Sequence, residues 1–117
     1  MEIKSAVSGL AALAHEGRLA AFRLLVQAGA GGLAAGEIAR RLGVLPNTLS
    51  AGLTILGHAG LIASRREGRS IIYTANYDGM RQLLAFLMED CCGGAPEICA
   101  PLVAIASQCG ETERRCA

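Results

Sequence analysis

Residues 33–59 read Leu33-Ala-Ala-Gly-Glu-Ile-Ala-Arg-Arg-Leu-Gly-Val-Leu-Pro-Asn-Thr-Leu-Ser-Ala-Gly-Leu-Thr-Ile-Leu-Gly-His-Ala59, and this stretch decides the fold. Apolar residues at helical spacing predict a short helix that ends at Gly43 and a second helix over residues 47–59. Pro46 suits a helical first turn, where its missing N–H is not needed. Two short helices joined by a tight turn predict a helix-turn-helix, whose second helix enters the major groove of DNA.

The second helix of this unit is predicted to have an apolar face and a polar face. Its inward residues are expected to be Leu49, Leu53, Ile55 and Leu56. The outward residues are small and mostly hydrogen-bonding, which suits close approach to base edges, and they are Asn47, Thr48, Ser50, Ala51 and Thr54. Taken alone, the stretch is equally compatible with an ordinary pair of packed helices.

Residues 61–74 favour a β-hairpin. Two β-prone runs, Leu61-Ile-Ala63 and Ile71-Ile-Tyr73, flank the turn dipeptide Glu67-Gly68. Three arginines cluster at the predicted tip, and they are Arg65, Arg66 and Arg69. Like charges repel unless a partner such as the phosphate backbone neutralises them. A helix-turn-helix followed by an arginine-tipped hairpin predicts a winged helix that binds double-stranded DNA.

Apolar periodicity predicts further helices over residues 2–14, 18–28 and 77–90. His15 is expected to lie in a helical first turn or cap, and Gly29-Ala-Gly-Gly32 to end the second helix. The last helix has an apolar band wider than one packed face requires, formed by Met80, Leu83, Leu84, Phe86, Leu87 and Met88. Part of that band is expected to pack on a second subunit, which also suits an operator with two half-sites. The expected fold class is mainly α with a small β-hairpin, a winged helix-turn-helix.

Length and charge agree with one small DNA-binding domain. The chain has 117 residues and a net charge of +1, which allows a single core. Residues 34–76 hold five arginines against two glutamates, a net of +3, whereas residues 77–117 hold three arginines against six acids, a net of −3. Since the sequence shows no signal peptide and no apolar run of membrane-spanning length, a cytoplasmic protein without membrane contact is expected.

The stretch Cys91-Cys-Gly-Gly-Ala-Pro-Glu-Ile-Cys99 holds three of the five cysteines. Gly93-Gly94 would prevent the last helix from continuing, so that two adjacent thiols can turn toward one ion while Cys99 returns after Pro96. Thiolates select soft ions, and zinc usually takes four ligands. Trivalent arsenic or antimony takes three sulfurs, which fits Cys91, Cys92 and Cys99 better; burial of these cysteines in an apolar core is the alternative. Cys109 and Cys116 are expected to be tail thiols.

These residues together resemble the ArsR/SmtB family of metal-sensing repressors. The resemblance spans residues 10–74 and is carried by Ala11-Ala-Leu-Ala-His-Glu-Gly-Arg-Leu19, Glu37-Ile-Ala-Arg-Arg-Leu-Gly43, Thr48-Leu-Ser50, Leu56-Gly-His-Ala-Gly-Leu-Ile62 and Arg65-Arg-Glu-Gly-Arg-Ser-Ile-Ile-Tyr73. It implies a homodimer through the first and last helices that represses its operon until an inducer binds. It also implies that Asn47, Thr48, Ser50 and Thr54 lie on the recognition helix and residues 65–69 in the wing.

The chain departs from the family pattern at three places. Ala34-Ala-Gly-Glu37 stands where many arsenic repressors carry Cys-Val-Cys, and residues 77–90 lack the His ligands of the zinc sensors. What remains is similar to the arsenic repressors whose cysteines follow the last helix, and Cys91, Cys92 and Cys99 match that pattern. Ala51-Gly52 replaces a basic or amide residue and a His of the recognition helix, so operator contacts are expected to depend on Asn47, Thr48 and the wing.

The leading hypothesis is a repressor in two parts. Residues 1–90 would form the DNA-binding and dimerisation domain, and residues 91–117 its cysteine-rich sensor segment. Arsenite or antimonite would be the inducer. The alternatives are a trivalent organoarsenical, which needs two thiols, another soft metal such as cadmium, zinc or lead, or thiol oxidation. A small thiol enzyme is disfavoured because the region around Cys91 is acidic and no phosphate-binding loop precedes it.

Overall fold

The computed structural model describes residues 1–88, and residues 89–117 lie outside the described part. In chain order the elements are α1 Ile3–Leu13, α2 Glu16–Ala28, a 3-10 turn Gly29–Gly31, β1 Leu33–Ala34, α3 Ala35–Leu42, α4 Pro46–His58, β2 Ile62–Glu67, β3 Ser70–Ala75 and α5 Tyr77–Met88. The winged helix-turn-helix is therefore confirmed, with α3 and α4 as its two helices. The predicted end of the last helix at residue 90 and the domain boundary there fall outside the described residues.

The ends of the helices follow local sequence signals. His15 caps α2 because its Nδ1 accepts hydrogen bonds from the backbone N–H groups of Gly17 at 3.1 Å and Arg18 at 3.3 Å. This cap starts the helix at Glu16, two residues earlier than the periodicity predicted. Gly43 ends α3 in the left-handed conformation, and Pro46 occupies the first turn of α4.

The wing is a three-stranded antiparallel sheet in the order β1-β3-β2. Glu67 pairs with Ser70, so a two-residue loop joins β2 to β3, and Gly68 takes a φ of +61° there. The short strand β1 was not predicted, and it pairs Leu33 with Tyr73. It lies so close to β3 that a Cβ on Gly32, whose φ is +69°, would collide with the carbonyl oxygen of Tyr73.

The core lies where the helix-turn-helix meets α2 and the sheet, and its fully buried side chains are Leu25, Ile38 and Leu56. Helix α4 buries Leu49, Leu53 and Leu56, as predicted. The prediction that Ile55 points inward was wrong, since 42% of it is exposed. The buried residues Leu49, Leu53 and Leu56 form a narrow stripe along α4, and Ile55 points about 100° away from Leu56, outside that stripe.

Helices α1 and α5 leave an apolar face exposed, which we call the apolar surface and which is formed by Ile3, Val7 and Leu10 of α1 and Leu84 and Leu87 of α5. The inner side of α1 buries only the small residues Ala6, Gly9 and Ala12. Gly9 faces Leu83 of α5, whose Cδ2 would lie 3.5 Å from a Cβ at that position. Of the helices within residues 1–88, none is both long and apolar enough to cross a membrane.

Candidate nucleic-acid interface

The first turns of α4 present a polar, solvent-exposed face. All five residues predicted to point outward are exposed, and they are Asn47, Thr48, Ser50, Ala51 and Thr54. The Thr54 hydroxyl donates to the Ser50 carbonyl at 3.0 Å. Within residues 1–88 no side chain caps the start of α4, so first-turn N–H groups remain available to a phosphate. This face can offer hydroxyl, amide and backbone donors to a duplex.

Arg65 ties the wing to the turn that follows α2. Its guanidinium donates to the carbonyl oxygens of Gly31 at 2.9 Å and Ala30 at 3.3 Å, and to the Glu67 carboxylate at 3.0 Å. The sequence predicted Arg65 as a DNA contact, and that role remains untested. Its guanidinium is engaged within the chain, where it connects β2 to the 3-10 turn Gly29–Gly31.

Arg66 and Arg69 are differently placed. Side chains alternate between the faces of a strand, so Arg66 lies on the face opposite Arg65. Its Nε donates only a long hydrogen bond of 3.4 Å to the Gly68 carbonyl. Arg69 lies in the two-residue loop and forms no ion pair with any described residue. These two cations are exposed at the wing tip and available to phosphates.

A cleft of about 250 Å³ separates α4 from the hairpin, and Thr54, Ser64 and Tyr73 contribute to its lining. Ser64 and Tyr73 are cross-strand partners, and alternation places Ser64 on the same face of β2 as Arg66. The polar face of α4, the cleft, and the tip arginines Arg66 and Arg69 together form what we call the recognition surface.

Glu37 reduces the positive field of this region. Its carboxylate forms ion pairs with Arg40 and Arg41, the latter at 2.7 Å. The hydrogen bond from Arg40, followed by that from Arg41, lowers the pKa of Glu37, and the same contact raises the pKa of Arg40. These ion pairs were not predicted from the sequence, although acidic and basic residues three and four positions apart on a helix are neighbours.

A family model described as "Helix-turn-helix domain" matches residues 13–65. Among solved structures, the chain is 31% identical to the homodimeric winged helix-turn-helix DNA-binding domain of Mb0332 from Mycobacterium bovis, a possible ArsR-family transcriptional regulator. That match covers 74% of this chain and 78% of that chain, with a TM-score of 0.62. The chain belongs to the ArsR family of winged helix-turn-helix transcriptional regulators.

Two further members of the structural neighbourhood extend the ArsR-family comparison. An ArsR-like transcriptional regulator from Rhodococcus sp. RHA1 is 28% identical over 94% of this chain and 96% of that chain, with a TM-score of 0.67. A possible transcriptional regulator for arsenical resistance is 26% identical over 68% and 80% of the two chains, with a TM-score of 0.60. Among curated proteins, none matches the chain. ArsR-family regulators are not enzymes, as the sequence analysis expected for this chain.

The predicted inducer site of this ArsR-family chain lies outside the described residues, since all five cysteines follow residue 88. Residues 1–88 contain no cluster of three or more His, Cys, Asp or Glu side chains that could hold a metal ion. Ala34 ends β1, and residues 35–37 form the first turn of α3 without a thiol. Cys91, Cys92 and Cys99 therefore stay the predicted ligands.

Proposed function

We propose that the chain is a repressor that binds double-stranded operator DNA as a homodimer. The observation that carries DNA binding is the exposed polar face of α4 beside two exposed arginines at the wing tip. Asn47, Thr48 and Ser50 would meet base edges and adjacent phosphates in the major groove, and Ala51 would allow close approach. Arg66 and Arg69 would neutralise phosphates beside the groove.

The homodimer would form through the apolar surface of α1 and α5. Five large apolar side chains lie exposed there, whereas α4 exposes mainly small polar ones. Monomeric proteins rarely leave such a face uncovered. A two-fold dimer would place two copies of α4 against two half-sites of the operator.

The inducer in this proposal is trivalent arsenic or antimony bound by Cys91, Cys92 and Cys99. Capture of arsenite would form three arsenic–sulfur bonds and release three water molecules, each made of one arsenic-bound hydroxide and one thiol proton. The step is redox-neutral and needs no further reactant. Three thiolates suit a soft ion, and the cysteines follow directly on α5, so binding can act on the dimer layer.

A DNA-release titration tests this function. The purified protein would be bound to a duplex that it selects from a random-sequence pool, and release would be followed by fluorescence anisotropy. We expect arsenite and antimonite to raise the Kd of the wild type by roughly 5- to 150-fold, the usual range of allosteric coupling. Cys91→Ser and Cys99→Ser should abolish this release, and Cys109→Ser, the matched control, should keep it.

The other arms of the titration separate the alternatives. If arsenite still releases Cys91→Ser as well as it releases the wild type, the proposed site is wrong. Release of Cys99→Ser by an organic trivalent arsenical would indicate a two-thiol site. Release by peroxide but not by arsenite would indicate thiol oxidation, and release only by cadmium, zinc or lead would indicate a different soft-metal site.

A further inference from the structure

Arg18 connects α1 to α2 through hydrogen bonds. It lies in the first turn of α2, and its Nε donates to the Ala12 carbonyl oxygen at 2.7 Å, while Nη2 reaches the Ala11 carbonyl at 3.4 Å. Both carbonyls belong to the last turn of α1. The carbonyl groups at a helix end lack intrahelical partners and carry the negative end of the helix dipole. The guanidinium therefore holds the C-terminal end of α1.

The aliphatic stem of the same side chain lies against the recognition helix. A Cβ on Gly52 would lie 3.3 Å from Cγ of Arg18 and 3.9 Å from its Cδ. Gly52 occupies the middle of α4, where glycine is among the least favourable residues. The missing side chain is what leaves room for the Arg18 stem, so one residue touches both α1 and α4.

Two solvent-open grooves flank this contact. A groove of about 360 Å³ lies between α2 and α4, and a second of about 370 Å³ lies between α1 and α4. Arg18 and Ile55 contribute to the lining of both grooves. Helix α1 also packs directly on α4, and the Arg18 side chain adds a hydrogen-bonded connection between the C-terminal end of α1 and the middle of α4.

Helix α1 also contacts the helix that leads to the cysteines. Gly9 of α1 faces Leu83 of α5, and Cys91 follows three residues after Met88, the last described residue of α5. A shift of α5 against α1 would therefore move the carbonyl groups that Arg18 holds. The contacts run in order from α5 through α1 and Arg18 to α4.

We propose that Arg18 is the positioning residue that couples the α1/α5 layer to the recognition helix, so that inducer binding moves α4 through its side chain. This inference rests on the proposed function for the origin of the movement. Arg18 itself makes no contact with DNA or inducer in this scheme. Removal of the Arg18 side chain should therefore make the DNA affinity of the inducer-bound protein nearly equal to that of the inducer-free protein. That result is a loss of coupling.

The main test compares Kd for the selected duplex with and without arsenite in four proteins. Arg18→Met keeps the stem and removes the hydrogen bonds, and we expect the arsenite-induced ratio of Kd values to fall to within about threefold of unity. Arg18→Lys, which keeps one cationic donor, should retain an intermediate ratio. Arg23→Met is the matched control on the exposed side of α2, and it should respond as the wild type does.

Two outcomes would overturn the inference even if arsenite releases the wild type. The first is a lower affinity of Arg18→Met with an unchanged Kd ratio, which would mean a purely structural role. The second is a decrease of about one unit in the slope of log Kd against log salt concentration, which would mean that Arg18 contacts a phosphate.

Hydrogen exchange supplies a readout that needs neither operator nor inducer. In the DNA-free protein, Arg18→Met should speed exchange of the central α4 amides, residues 50–56, because it removes the hydrogen bonds that tie the end of α1 to this side chain. Arg23→Met should not. If arsenite does not release the wild type from DNA, the proposed inducer is wrong. The exchange rates of the α4 amides still test whether Arg18 connects α1 to α4. Unchanged α4 exchange in Arg18→Met would overturn the inference.

Discussion

The recognition surface and the apolar surface differ in chemistry and in origin. The recognition surface comes from one continuous stretch, residues 47–73, and exposes hydroxyls, an amide and the guanidinium groups of Arg66 and Arg69. The apolar surface joins the two ends of the described chain, α1 and α5, and exposes five large aliphatic side chains. One surface suits a polyanion and the other suits a second copy of the chain. Local sequence can therefore specify the recognition surface. The apolar surface, which would pair two copies of the chain, forms only where α1 and α5 pack side by side.

A charge placed in the apolar surface should have the largest effect. Leu84 is 50% exposed on α5, and in a two-fold dimer Leu84→Glu would remove two buried leucines at once. Burial of one leucine side chain contributes about 2 kcal/mol, so two of them correspond to a dimer weaker by about three orders of magnitude. Sedimentation equilibrium should show monomers, and binding to a two-half-site duplex should fall in parallel.

Ala85→Glu is the matched control, since residue 85 is also exposed on α5 but points about 100° away from Leu84. It should leave the dimer intact. If Leu84→Glu still sediments as the wild type does, or if both variants dissociate equally, then the apolar surface is not the dimer interface.

The second prediction compares Arg69, which belongs to the recognition surface, with Arg65, which lies beside it. Arg69→Ala should remove a phosphate contact, weaken DNA binding up to about tenfold and reduce the salt slope by about one unit, with little change in Tm. Arg65→Ala should leave that slope unchanged, because its guanidinium is bonded to the Ala30 and Gly31 carbonyls. It should instead lower the stability by about 1 kcal/mol, a typical net value for such hydrogen bonds.

Salt titrations and thermal denaturation of the two variants measure both quantities. A salt slope reduced in Arg65→Ala as much as in Arg69→Ala would show that Arg65 leaves its carbonyl partners and contacts DNA, as the sequence alone predicted. An unchanged slope in Arg69→Ala would remove the wing tip from the recognition surface.

The parts of the fold that were predictable are those with local signals. Gly43 and Pro46 bracket the turn of the helix-turn-helix, and Gly68 marks the hairpin loop. Strand β1 could not be found in this way, because two residues show no periodicity and their pairing with β3 depends on the fold. The prediction that Ile55 points inward was wrong because it used the hydrophobicity of the residue and not its direction on the helix.

For the candidate site, the sequence predicted which residues are exposed but not their hydrogen-bond partners. The outward face of α4 follows from helical geometry, but the partners of Arg65 lie 34 and 35 residues away in sequence. Those partners are backbone carbonyls, which every residue has, so no side-chain pattern marks them. The contacts of Arg18 could not be predicted for the same reason, because its hydrogen bonds also go to carbonyl groups. The cysteines remain a prediction from the sequence, since they lie outside the described residues.

The smallest expected effect is the acid dependence that Glu37 confers near the recognition surface. Arg40 and Arg41 hold the pKa of Glu37 below its usual value of 4.5. The ionised carboxylate therefore stabilises the fold fully above that usual value, and this contribution is lost as the pH falls through the lowered pKa of the folded state. The difference in unfolding free energy between the wild type and Glu37→Gln should shrink as the pH falls below about 4.5.

Urea denaturation at a series of pH values between neutral and acidic measures that difference. The effect should be small, because Arg40 and Arg41 are exposed and water screens the pairs. The difference in unfolding free energy between the wild type and Arg40→Met should show a smaller decrease with falling pH, because Arg41 still pairs with Glu37 in that variant. A difference that stays constant across the whole range would mean that Glu37 titrates alike in the folded and unfolded chain. In that case the ion pairs with Arg40 and Arg41 would contribute nothing to stability, although the negative charge of Glu37 at neutral pH would still offset one of the two cations beside the recognition surface.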